Sequence, residues 1–101
     1  MPESVGRYIV ALGRRTRELP GVELGASSRA LIHLVMASKA NARLNGRTVV
    51  TIEDVREMAP YTLRHRIVVT DETTPDAVLM EAMSGVPTPV APPVSPLGLA
   101  E

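Results

Sequence analysis

The stretch that decides the fold runs from Gly25 to Met36 and reads Gly-Ala-Ser-Ser-Arg-Ala-Leu-Ile-His-Leu-Val-Met. Ser27 is a good helix N-cap, because its hydroxyl can accept a hydrogen bond from an unpaired backbone N–H group. The apolar residues after it predict a helix that ends near Asn45, before Gly46. Its apolar residues cover most of the circumference, so we expect a central, nearly buried helix. They are Leu31, Ile32, Leu34, Val35, Met36, Ala37, Ala40 and Leu44.

Three further helices are predicted around this one. Apolar residues at helical spacing predict a first helix over residues 3–17. Thr51 and Asp54 have the spacing of a capping box, so a third helix should begin there, and Pro60 should end or kink it before a further turn around residues 61–65. Thr74 and Pro75 predict the start of a last helix that continues through residue 83 and is closed by Gly85.

Two short β-branched runs, residues 48–50 and 67–69, are predicted to pair as a ribbon, and residues 18–26 to form a loop. We therefore expect a mostly α fold, a small helical bundle of four to five helices with a short two-stranded β ribbon. The helical domain should occupy residues 1–85. Five prolines after residue 85 predict an extended or disordered tail over residues 86–101.

Composition narrows the possible functions. The chain has 101 residues, of which 45% are apolar and 22% charged, as expected of one globular domain. It has no cysteine and two separated histidines, so we expect neither disulfides nor a metal site. No apolar run is long enough to cross a bilayer, and we expect a cytoplasmic protein without membrane contact. All eleven Lys and Arg residues lie within residues 1–70, beside six of the eleven acidic residues, so this part is basic.

Arg29 is the main candidate for a binding residue. A helix start offers unpaired N–H groups and a partial positive charge, and a guanidinium adds a fork of donors that matches phosphate oxygens. However, the sequence contains no Gly-rich phosphate loop ending in Lys-Ser/Thr and no apolar strand ending in paired acids for Mg²⁺. A nucleotide contacted by Arg29 would therefore have to be held by another domain.

The ordered set of short segments resembles the C-terminal lid domain of a MoxR-family AAA+ ATPase. The resemblance covers residues 5–89 and departs from the family pattern at Ser28, where proline is common. It is carried by residues 25–30, 37–45, Gly46-Arg47, 50–55, 63–67 and the Val-Pro-Thr-Pro sequence at 86–89.

The resemblance implies a preceding α/β core domain that holds ATP and Mg²⁺ in the cleft between core and lid. It implies that Arg29 is the second sensor, which contacts the γ-phosphate, and that Ser27 and Ser28 form the supporting helix N-terminus. It further implies neighbouring subunits in a ring and chaperone-like remodelling of client proteins. We expect the chain alone to bind no cofactor and to have no ATPase activity.

Other interpretations stay open at this point. Arg29 could be a solvated surface residue. A free-standing module could bind DNA or an acidic protein partner through the basic N-terminal half, although Arg14, Arg15 and Arg17 lack an aromatic stacking platform and better fit a solvated face or subunit contact. We expect His33 to be a half-buried packing residue and His65 to have a structural role at a helix-to-strand junction. Glu53 and Asp54 are better explained by helix capping than by catalysis.

Overall fold

The computed structural model describes residues 1–88, and they form a small helical bundle with one antiparallel β ribbon. The predicted fold class is confirmed. Most of the predicted tail, residues 89–101, lies outside the described residues, whereas Val86 is buried in the core. The elements in chain order are α1 (Glu3–Glu18), β1 (Val22–Leu24), α2 (Ser28–Leu44), α3 (Ile52–Leu63), a 3₁₀ turn (Arg64–Arg66), β2 (Val68–Val69) and α4 (Pro75–Gly85).

Side-chain caps fix the starts of three helices, as predicted. The hydroxyl oxygens of Ser27 and Thr74 each accept a hydrogen bond at 3.1 Å from a backbone N–H group in the first turn of α2 and α4. Thr51 and Asp54 form both halves of a capping box at the start of α3. Each cap satisfies backbone donors that the helix itself leaves unpaired.

The end of α2 is also the predicted one. Gly46 has a φ of +74°, a left-handed conformation that glycine adopts without steric cost. The N–H of Gly46 donates to the carbonyl of Arg43 at 3.0 Å, and the N–H of Arg47 donates to that of Ala42 at 2.9 Å. This pair of bonds is a Schellman motif, which turns the chain sharply out of the helix.

The predicted pairing of the ribbon is wrong. β2 pairs with β1, in the register Val22–Val69 and Leu24–Val68, whereas residues 48–50 form no strand. The segment 22–24, predicted as loop, is therefore a strand. Val50 is buried under the helices, but Val49 before it is 54% exposed. Residues 48–50 thus extend the connection between α2 and α3 without meeting a partner strand.

The predicted end of α3 at Pro60 is also wrong, because α3 continues through Pro60 to Leu63, whereas the alternative, a kink at Pro60, stays a prediction. The missing proline N–H removes one helical hydrogen bond, but the Pro60 carbonyl still accepts a bond from the N–H of Arg64. Ala59 and Leu63, on either side of the proline, are fully buried. Their packing offsets the lost bond, and the chain then tightens into the 3₁₀ turn.

The core lies between α1, α3 and one face of α2, with α4 closing the side opposite α2. The prediction that α2 is nearly buried is wrong. Its buried residues repeat every fourth position, at Ala30, Leu34, Ser38 and Ala42, so they form a single stripe. The opposite face is solvent-exposed and includes Ile32, Met36 and Leu44, of which 59%, 64% and 86% of the surface is accessible.

Candidate functional site

The first turn of α2 is the candidate site. Its N-cap Ser27 has an extended backbone, with φ −77° and ψ 166°, and its side-chain hydroxyl accepts a hydrogen bond from the N–H of Ala30. Ser28 and Arg29 are the first two residues of the helix, where the backbone N–H groups have no hydrogen-bond acceptor inside the helix itself. Both residues are exposed, and neither N–H group donates to an acceptor outside the helix within residues 1–88.

Arg29 itself is exposed and available to an external partner. Three ion pairs form within residues 1–88, and Arg29 belongs to none of them. No side-chain hydrogen bond of Arg29 is present in this part of the chain either. Among the described residues, no acidic group therefore pairs with the guanidinium.

The charge at this end of α2 suits an anion and not a metal ion. The first turn of α2 contains no acidic residue, so nothing there neutralises the arginine or the positive end of the helix dipole. Phosphate oxygens fit such a set of donors. Mg²⁺ needs oxygen ligands, usually carboxylates, and no cluster of three or more candidate metal ligands occurs in residues 1–88. The donors at this end of the domain thus suit an anion such as phosphate.

A groove of about 490 Å³ runs beside this site between α1 and α2. Its floor is apolar, and Arg14, Arg17 and Ser28 lie along it. The apolar lining residues include Val10, which is 48% exposed, and Ile32. The exposed start of α2 is thus continuous with an apolar surface that carries additional positive charge.

The other predicted cationic residues, three of the arginines of α1, do not all line the groove. Arg14 and Arg17 line it, whereas Arg15 lies in a second pocket, which Arg14 also borders, and packs against Gly85 at the end of α4. A β-carbon placed on Gly85 would lie 2.9 Å from Nε of Arg15. Tyr8 is buried in the core, so it offers no stacking surface beside these arginines. The buried Tyr8 gives no support to the DNA-binding alternative.

Two histidines and two acids remain from the sequence-based candidates. His33 is exposed on the outward face of α2, so the prediction of a half-buried packing residue is wrong. His65 is exposed in the 3₁₀ turn between α3 and β2, the predicted junction, and its structural role stays a prediction. Asp54 is the acidic member of the capping box, as predicted, while Glu53 is exposed in the same first turn.

Sequence reasoning missed the ionic cluster that joins α2 to α3. The buried carboxylate of Asp54 accepts two hydrogen bonds from Arg47 and one from Asn41. The Arg47 hydrogen bond is the largest of the causes that hold the pKa of Asp54 well below its usual range; Thr51 and Asn41 act in the same direction and burial opposes them. The capping-box spacing identified Asp54, but no periodic signal connects it with Arg47.

Comparison with known proteins identifies the class to which this fold and site belong. Residues 14–83 match the family model of the AAA lid domain. The chain therefore belongs to the AAA lid domain family. It is 38% identical over 93 residues to YeaC, an uncharacterized protein of Bacillus subtilis, and 37% identical over 73 residues to the chaperone MoxR1 of Mycobacterium tuberculosis. The resemblance to the lid of a MoxR-like AAA+ ATPase is confirmed.

A solved structure supports the same assignment. The "putative ATPase" of Cytophaga hutchinsonii superposes with a TM-score of 0.80 and 29% identity over 88% of this chain. The chain spans 31% of that structure, 29% of YeaC and 19% of MoxR1, and the matches cover 87% and 67% of this chain for the two proteins. It thus corresponds to one part of much longer relatives. Within residues 1–88 no helix combines the length and the apolar character needed to cross a membrane.

Proposed function

We propose that this chain closes as a lid over ATP and Mg²⁺ held by the N-terminal α/β core of a MoxR-family AAA+ ATPase. In this proposal Arg29 is the second sensor and contacts the γ-phosphate, and Ser27 and Ser28 form the helix N-terminus that supports it. The observation that carries the proposal is the exposed Arg29 side chain, without an acidic partner among residues 1–88, in the first turn of a capped helix.

The chemistry asked of Arg29 is electrostatic. Negative charge is spread over the oxygens of a phosphoryl group during its transfer, and fixed donors directed at these oxygens stabilise the transition state. A guanidinium on a rigid helix supplies such donors without reorganisation. Since the γ-phosphate is present only before hydrolysis and phosphate release, its contact with Arg29 would bind the lid differently in the ATP and ADP states. Hydrolysis would thereby be coupled to rotation of the lid.

We infer the activity of the complete protein from the family to which this chain belongs. We infer an ATPase that assembles as a ring with neighbouring subunits, acts in the cytoplasm and remodels client proteins as a chaperone does. The relative MoxR1, which is named a chaperone, supports the chaperone part of this inference. The chain itself would supply the nucleotide-sensing lid, while the phosphate loop and the magnesium ligands would come from the core domain.

The proposal is tested by measuring steady-state ATP hydrolysis in the complete ATPase that carries Arg29→Ala. We expect turnover to fall by at least about tenfold, because loss of a single transition-state donor commonly costs a factor of 10² or more. The matched control is Arg43→Ala, which removes an exposed arginine from the last turn of the same helix. The control should hydrolyse ATP at the wild-type rate. An Arg29→Ala variant that is as active as the control would contradict the proposal.

A further inference from the structure

The backbone N–H and the backbone carbonyl of Ala26, which precedes α2, are both held by side chains of α1. Ala26 is fully buried and lies one residue before the N-cap of α2. Its N–H donates to Oγ1 of Thr16 at 3.1 Å, and its carbonyl accepts from Nε of Arg17 at 3.0 Å. Two adjacent side chains of one helix thus hold the two peptide groups on either side of Ala26.

Thr16 is itself held in one orientation. It is fully buried, and its hydroxyl donates to the carbonyl of Gly13 at 2.7 Å. A hydroxyl has one hydrogen to donate, so this bond directs a lone pair of Oγ1 toward the N–H of Ala26. Both polar functions of Thr16 are thereby used, and the buried threonine connects the last turns of α1 to the start of α2.

Close packing adds a third constraint. A β-carbon placed on Gly25 would lie 2.6 Å from Cγ of Arg17 and 2.8 Å from its Cα and backbone N. The backbone of the loop therefore rests directly against the backbone of α1. The absence of a side chain at Gly25 is what allows the two hydrogen bonds of Ala26 to form.

We propose that Thr16 and Arg17 are positioning residues for Arg29. This inference rests on the proposed function and specifies how its sensor is oriented. The side chain of Arg29 forms no ion pair or hydrogen bond within residues 1–88, so its direction is set by the backbone from which it projects. Arg29 follows Ala26, whose backbone is held by Thr16 and Arg17, by three residues. The two hydrogen bonds to Ala26 make α1 and the start of α2 one rigid unit. A force that the bound nucleotide exerts on Arg29 would therefore move the lid as a whole.

The experiment combines Thr16→Val with Arg29→Ala in the complete ATPase. Valine keeps the shape of threonine but removes both hydrogen bonds, and Thr16→Ser, which keeps the hydroxyl, is the control. We expect Thr16→Val to lower kcat by about tenfold, because a displacement of ~1 Å can cost on the order of a hundredfold. The KM for ATP should change less than kcat, since the contact with the γ-phosphate strengthens as charge develops on the transferred phosphoryl group. The serine variant should retain the wild-type kcat.

The double variant separates positioning from a general structural role. If Thr16 acts through Arg29, then Thr16→Val should lower kcat no further in a protein that already carries Arg29→Ala. Equal losses in both backgrounds, measured well below the melting temperature of every variant, would overturn the inference. Arg17→Met retains the aliphatic stem against Gly25 and removes Nε, so it provides a second variant with the same expectation.

The outcomes also distinguish this inference from the function on which it rests. Normal turnover in Thr16→Val and Arg17→Met, together with slow turnover in Arg29→Ala, would overturn the positioning role alone. Normal turnover in Arg29→Ala would overturn the proposed function and the positioning role together.

Discussion

Arg47 and Asp54 form a bidentate ion pair that connects the segment after α2 to the start of α3. Nη1 and Nη2 of Arg47 lie 2.8 and 2.7 Å from the two carboxylate oxygens of Asp54. The carboxylate also accepts the N–H of Thr51 at 2.8 Å and the side-chain amide of Asn41 at 2.9 Å. Asp54 is 1% exposed, so its charge depends on these donors in place of water.

Replacing Asp54 should therefore destabilise the domain. We expect Asp54→Ala to lower the free energy of unfolding by roughly 2 to 3 kcal/mol, because it removes half of a capping box and several hydrogen bonds to a charged group. Urea unfolding of the chain measures this change. The control is Asp76→Ala, whose carboxylate pairs with Arg64 at the surface and should contribute less than about 1 kcal/mol. Equal effects of the two substitutions would contradict the account of the buried pair.

The same carboxylate predicts a dependence of stability on pH. Its hydrogen bond from Arg47 is the main reason that its pKa lies lower in the folded chain than in the unfolded chain. A group of this kind stabilises the fold fully above its unfolded pKa of about 4, and the stabilisation is lost as the pH falls toward the folded value. The difference in unfolding free energy between wild type and Asp54→Asn should thus be constant between pH 7 and 5 and shrink below about pH 4.

Unfolding in urea at pH 7, 5 and 3 measures this difference. Asp76→Asn serves as the control, and its smaller difference from wild type should change less over the same range. A wild-type advantage over Asp54→Asn that is as large at pH 3 as at pH 7 would argue against the assigned role of Asp54.

The two faces of α2 should respond differently to truncation. Leu34 is fully buried, so Leu34→Ala is expected to cost roughly 2 to 5 kcal/mol. Ile32 is 59% exposed, and Ile32→Ala should change the stability of this chain by only about 0.5 kcal/mol. Thermal melting followed by circular dichroism compares the two variants. An unaltered melting temperature for Leu34→Ala, or a similar loss for Ile32→Ala, would show that the helix is placed with the wrong rotation.

The chain alone should not bind ATP with micromolar affinity. One arginine and one helix start are too few contacts to offset the translational and rotational freedom that ATP loses on association. Calorimetric titration of the 101-residue chain with ATP should give no measurable saturation in the micromolar range. Clear micromolar binding would mean that the chain has a nucleotide site of its own, contrary to its proposed role as a lid.

Local signals in the sequence predicted the helices well. Ser27, Thr51 and Thr74 mark helix starts because capping depends on residues within three positions of each other, and Gly46 marks an end for a similarly local reason. The position of Arg29 at a helix start followed directly from the Ser27 cap. These features require no knowledge of the tertiary structure.

Features that depend on distant residues were not predictable in the same way. The ribbon joins Val22 to Val69, and nothing in either segment specifies the other as its partner. Likewise, the sequence of α2 shows apolar residues on most sides, but only packing against α1 and α3 decides that Leu34 faces the core and Ile32 faces out. The Thr16–Ala26 bond was missed because a threonine between two arginines near the end of a helix carries no sign of its bonding partner.

The most direct test of the account is a structure of the complete ATPase bound to a non-hydrolysable ATP analogue. We expect the lid to close over the nucleotide with a guanidinium nitrogen of Arg29 at hydrogen-bond distance, roughly 2.7 to 3.2 Å, from an oxygen of the γ-phosphate. A closed lid in which Arg29 faces solvent or pairs with an acidic residue, while another group contacts the γ-phosphate, would contradict it.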